Sequence, residues 1–167
     1  MTAKDDDMTP ANAIAPSGAS GPAAVSAALR GASAATGAGF ELLYNMAKRE
    51  SSLDPAARAK TSSAAGLFQF IEQTWLAAVK SYGERHGLAG MAAEIRHDST
   101  GRFSVADPER RQAILDMRFD PQKAAALAGE LAQENRARLE ARLQRPVNEA
   151  EVYAAHFLGA GGAANLL

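Results

Sequence analysis

Aspartate stands directly before proline at three places, Asp54-Pro55, Asp107-Pro108 and Asp120-Pro121, and a further proline lies at position 146. These positions restrict the fold more than any others. Proline has no amide hydrogen to donate and pushes the residue before it out of the α region, so a helix stops or starts at such a pair. Between the pairs, apolar residues recur every three or four positions, the spacing of one helix face, and no stretch alternates convincingly enough for a strand. The fold is therefore expected to be mainly α, with little or no β-sheet. No internal repeat is visible.

The first firm helix is predicted over about 37–51, where Phe40, Leu43, Tyr44 and Ala47 form one apolar stripe. At about 100° per residue Ser51 falls on that stripe and Glu50 on its flank, at the C-terminal end of the helix. Burial and the negative end of the helix dipole both disfavour an ionised carboxylate there. Lys48 and Arg49 act in the opposite sense but point to other faces. The helix should stop near Asp54-Pro55, leaving residues 58–66 as a loop of small and polar side chains.

A second helix is predicted from Ile71 to about Tyr82, with Ile71, Trp75, Ala78, Val79 and Tyr82 on one face. Gly83, Gly87 and Gly90 break the pattern. Residues 96–106 are the least helical, and Arg102 to Val105 suit a short extended piece. Asp107-Pro108-Glu109 reads as a helix start, with an N-cap, a proline in the first turn and an acid near the positive dipole end. That helix carries Ile114, Leu115 and Met117. Asp120-Pro121 opens a longer one to about Leu143, with Ala124, Leu127, Ala128, Leu131, Leu139 and Leu143 inward. Asn148 followed by Glu151 reads as a capping box, and Gly159 as the stop of the last helix.

Residues 1–35 contain few large apolar side chains and are broken by Pro10, Pro16 and Pro22. Such a segment buries too little surface to offset the cost of ordering, so a loosely ordered tail is expected, followed by one domain over 36–167. The acidic run Asp5-Asp6-Asp7 sits where a secretion signal needs basic residues, so no signal peptide is expected. No apolar run approaches the length of a membrane span.

With a formal net charge of −1, the chain has no field of one sign to recruit nucleic acid. It contains no cysteine, which removes disulfides, thiolate chemistry and Cys-based zinc sites. The three histidines, His86, His97 and His156, have no metal-ligand spacing, so neither metal nor cofactor is expected. A ligand held by shape and hydrogen bonds fits this composition best.

By residue type, a glutamate at a helix end is most often a solvated charge. Here Glu50 borders an apolar stripe and is followed by a Gly/Ser/Ala loop whose backbone permits close approach. Neutral, it would donate a proton to a leaving oxygen; ionised, it would later remove one. Glycosidic cleavage requires that donation.

Three motifs occur in order: Glu50-Ser51, Gly66-Leu67-Phe68-Gln69, and the run Ala155-His156-Phe157-Leu158-Gly159-Ala160-Gly161-Gly162. Their order resembles the soluble lytic transglycosylase domain, a goose-type-lysozyme-like family that cuts peptidoglycan. The likeness covers about residues 38–165 and is greatest to the short alphaproteobacterial type. It implies a lysozyme-like helical domain. It assigns Glu50 as the single catalytic acid/base, Gln69 to the sugar groove and Ile71 to an apolar position beside it. Phe68 replaces the more usual methionine. Ser62 or Ser63 would be the substrate-contacting serine, while Thr74 and Trp75 would belong to helix packing. The third motif departs from the usual Ala-Tyr-Asn, with Ala155, His156 and Phe157 in its place. Either His156 or Tyr153 would then partner the acid.

The resemblance implies cleavage between N-acetylmuramic acid and N-acetylglucosamine, closing the muramoyl 6-hydroxyl onto C1 to leave a 1,6-anhydro end. A two-carboxylate hydrolase would need a second acid, for which Asp54, Glu72, Asp98 and Asp107 are the candidates considered. The implied partner is the peptidoglycan glycan strand, met by a monomer in the periplasm or cell envelope. Two rivals remain: a lysozyme-type hydrolase, and a catalytically idle glycan-binding or assembly module of an envelope-spanning machine.

Overall fold

The structure, a computed structural model, describes residues 21–167. Expectations for residues 1–20, the acidic run included, lie outside the described residues. The described chain folds into seven α-helices and one two-stranded hairpin, so the mainly-α expectation holds.

Helix α1 (Pro22–Thr36) stands where the later part of the expected tail was placed. The tail reading is corrected from residue 22 onward: α1 buries Val25, Ala28, Leu29 and Ala32. The physical reason is close approach. α1 packs chiefly on the long helix α6 (Pro121–Leu143). Gly129 of α6 leaves room for the Thr36 side chain, and Gln133 Nε2 donates to Thr36 O at 3.0 Å. Small residues that look too weak to build a core instead let two backbones meet.

Helix α2 (Phe40–Ser51) buries Leu42, Leu43, Met46 and Ala47. Its inward face is therefore rotated from the predicted one, leaving Phe40 and Tyr44 half-buried. Helix α3 (Glu72–Tyr82) buries Trp75, Leu76, Ala78 and Val79. Trp75 is fully enclosed, packs edge-on to Phe70 at 5.1 Å, and donates from its indole nitrogen to Ile114 O at 2.7 Å. Ile71 departs from prediction: it precedes the helix as its N-cap residue and is 47% exposed.

A 3₁₀ turn (Gly83–His86) and helix α4 (Ala89–Glu94) fill the glycine-broken region. Strands β1 (Ile95–His97) and β2 (Phe103–Val105) pair antiparallel, with Ile95 opposite Val105 and His97 opposite Phe103. Helix α5 (Pro108–Asp116) starts as expected, the Asp107 carboxylate accepting from the amides of Glu109 and Arg110. Asp120 caps α6 in the same way.

From Ala124 to Gly129, α6 is buried on every side, the mark of a central helix. Leu131 and Leu143, expected inward, are only half-buried. Helix α7 (Glu149–Leu166) begins with the complete Asn148/Glu151 capping box. It does not end at Gly159; that residue (φ 70, ψ 157) makes a kink, and the helix resumes to Leu166.

Candidate active site

Glu50 occupies the last turn of α2 on the same side as the buried Leu43, Met46 and Ala47. It lies on the inward stripe rather than its flank, and its side chain keeps 23% of its exposure. Two left-handed residues, Ser52 (φ 56) and Leu53 (φ 67), then turn the chain out of the helix. Their amides donate to Lys48 O and Ala47 O, satisfying carbonyls that the helix end leaves open. Ser51 Oγ lies 2.8 Å from Leu67 O and 3.1 Å from Ala47 O. The residue after the acid thus ties the helix to the glycine-led loop.

That loop folds tightly on itself. Ala65 and Phe70 exchange backbone hydrogen bonds at 3.2 and 3.1 Å, and the Gly66 amide donates to Ala57 O at 2.8 Å. Gly66 needs to be glycine twice over: its φ is +80°, and a Cβ would collide with Arg118 O. Inside the turn Gln69 is held at φ +51°, uncommon for a residue with a side chain. Its amide nitrogen donates to Gly66 O at 2.9 Å and Ala57 O at 3.2 Å, so its carbonyl oxygen is the end left to accept from a ligand.

Arg118, only 5% exposed, clamps the loop from below. It donates to Leu115 O at 2.8 Å, Ser63 O at 2.6 Å and Phe70 O at 3.0 Å. Burial pulls this guanidinium below its ordinary value, with the Glu72 carboxylate opposing. Three carbonyl acceptors are what compensate the buried charge.

The walls meet around a cleft of about 380 Å³. It brings together five of the predicted residues, Glu50, Phe68, Gln69, Ile71 and His156. His156 Nε2 lies 3.2 Å from Glu50 Oε1, and the imidazole is 30% exposed. Of the two candidates for partnering the acid, His156 is therefore the one in place.

Tyr153 is not in the cleft. Three residues earlier on α7, it turns to a separate groove with Leu42, Asn45, Lys48 and Arg49, its ring 5.0 Å from Phe157. Ser62 and Ser63 also stay outside. Ser62 Oγ accepts from the Ala64 amide and Ser63 Oγ from the Glu72 amide, so both hydroxyls shape the loop and the start of α3. Thr74, expected to serve helix packing, is exposed on the cleft wall.

The opposite wall was missed from sequence. Leu131, Glu134, Asn135 and Arg138 of α6 face the cleft. Glu134 accepts from the Tyr82 hydroxyl at 2.8 Å and pairs with Arg138. The available signal was a polar turn, Glu134-Asn135, next to the apolar Leu131 and Ala132. Asp54, Glu72, Asp98 and Asp107 do not line this cleft.

No protein-family model matches the chain. Among the described residues no group of three His, Cys, Asp or Glu side chains is placed to hold a metal ion, and no helix is long and apolar enough to cross a membrane. Chemically, the cleft offers a half-buried carboxyl touching an imidazole, a primary-amide carbonyl, and an apolar lining from Met46, Phe68 and Phe70.

Proposed function

We propose that the chain is a peptidoglycan lytic transglycosylase on a lysozyme-like scaffold, with Glu50 as its single acid/base. The observation that carries this reading is the convergence of Glu50, Gln69 and His156, one from each motif, on one cleft. Glu50 gives its proton to the oxygen between N-acetylmuramic acid and N-acetylglucosamine as that bond breaks. The neighbouring acetamido group stabilises the cationic sugar. Glu50, now ionised, accepts the proton of the muramoyl 6-hydroxyl, whose oxygen closes on C1. Gln69 accepts a hydrogen bond from a sugar hydroxyl or amide, while Phe68 and Ile71 cover apolar ring faces. A monomer in the periplasm or cell envelope meets this substrate.

A second reading has one observation in its favour. Glu134 places another carboxyl on the far wall of the cleft, where a hydrolase would hold the base for a water molecule. Its ties to Tyr82 and Arg138 favour a structural anion instead. Mass spectrometry of digested peptidoglycan separates the two: anhydro-muramoyl ends support the transglycosylase, and ends heavier by one water establish the hydrolase. Intact sacculi after prolonged incubation would leave a glycan-binding module.

A further inference from the structure

Resting on the reading of Glu50 as the acid of glycan cleavage, we propose that His156 is its proton reservoir: the two side chains hold one proton in common, which His156 stores and Glu50 delivers. The geometry is direct. Nε2 and Oε1 lie 3.2 Å apart, and among the described residues neither side chain has another hydrogen-bond partner. Both face the cleft, so the shared proton lies where a sugar would bind.

The chemistry gives the pair its purpose. A lone carboxylic acid reached by water is almost wholly ionised at neutral pH. Imidazole changes charge between pH 5 and 8. A pair holding one proton is either carboxylic acid with neutral imidazole or carboxylate with imidazolium, and the two forms differ only in where the proton lies. As the C1–O bond breaks, the imidazolium N–H passes its proton to the Glu50 carboxylate and Glu50 passes it on to the leaving oxygen, which keeps the bond's electron pair; carboxylate and neutral imidazole remain. As the 6-oxygen bonds to C1, its proton passes to Glu50 and is again shared with the imidazole. No proton is gained or lost over the cycle.

Among the described residues, no other charged side chain forms an ion pair or hydrogen bond with His156. From α2, Arg49 lies over the Phe157 ring at 4.8 Å, and Lys48 lines the neighbouring groove. From α6, Glu134 and Arg138 line the far wall, and Arg142 approaches Gly161. On α7 itself, Glu149 and Glu151 lie in the first turn. The loop wall of Phe68, Gln69, Phe70 and Ile71 adds no charge.

The test compares kcat/KM against pH for wild type, His156→Gln and His156→Tyr on purified glycan strands. It is joined by NMR titration of the His156 ring in wild type and Glu50→Gln. In both His156 variants the alkaline limb is expected to move to lower pH, through kcat rather than KM. Tyrosine keeps a donor at that position but does not titrate there, so it separates proton supply from positioning. The His156 midpoint is expected to differ between wild type and Glu50→Gln. A wild-type limb in either variant overturns the proposal, as does an unchanged midpoint. If no anhydro product forms at all, the transglycosylase reading fails by itself, and the NMR comparison still decides whether the two groups share a proton.

Discussion

Glu50 Oε1 and His156 Nε2 lie 3.2 Å apart across 106 residues of chain. The contact joins the last turn of α2 to α7, so the acid acquires its partner only once α7 has docked on α6 and α2. Local folding places the carboxyl; tertiary folding completes its surroundings.

Replacing Glu50 by Gln keeps the shape and removes the proton. Turnover of peptidoglycan is expected to fall by about 10²–10⁴-fold, with glycan binding retained. Muropeptide release and calorimetric binding measure the two separately, and undiminished release would remove Glu50 from the mechanism.

Gly66→Ala adds a methyl group where φ is +80° and the Arg118 carbonyl leaves no room. A loss of at least about 2 kcal/mol is expected in urea unfolding, from backbone strain and overpacking together. Glycan affinity should fall with it, since Gln69 belongs to the same turn.

Gln69→Gly makes the complementary change. Glycine relieves the positive φ while the amide is lost, so the melting temperature should change little and KM should rise. A large drop in melting temperature with unchanged KM would assign the Gln69 amide to the loop alone.

The Tyr82 hydroxyl is pushed up from 10.0 to about 12, first by burial and then by its hydrogen bond to Glu134. The folded protein therefore holds this proton more tightly than the unfolded chain. The stability it confers is complete below about pH 10 and is lost as pH rises from 10 towards 12. Melting temperatures across that range should decline less steeply in Tyr82→Phe than in wild type.

The strongest local signals in the sequence correspond to real structure. Asp107 and Asp120 cap their helices because a carboxylate before proline has free amides in reach, and Asn148 with Glu151 closes its box for the same reason. The glycine-led turn was legible as an ordered motif behind Glu50-Ser51, whereas the positive φ of Gln69 carried no local signal. Long-range choices were not. Whether Tyr153 or His156 meets Glu50 depends on how α7 is rotated against α2, and no local rule fixes that angle. The serines at 62 and 63 are drawn away by backbone amides close in sequence. The α6 wall was hidden because Glu134 and Arg138 look like an ordinary exposed ion pair until Tyr82 arrives from 52 residues away.

Helix α1 stands behind the helix whose front lines the cleft, and this governs where the protein can be divided. A joint or protease cut between Ala35 and Thr36, where composition alone draws the border, would uncover the seat of α1 on α6 and leave one wall of the cleft without backing. A joint placed ahead of Pro22 spares that seat. Anyone shortening or fusing this protein should treat helix α1 as masonry rather than as trim.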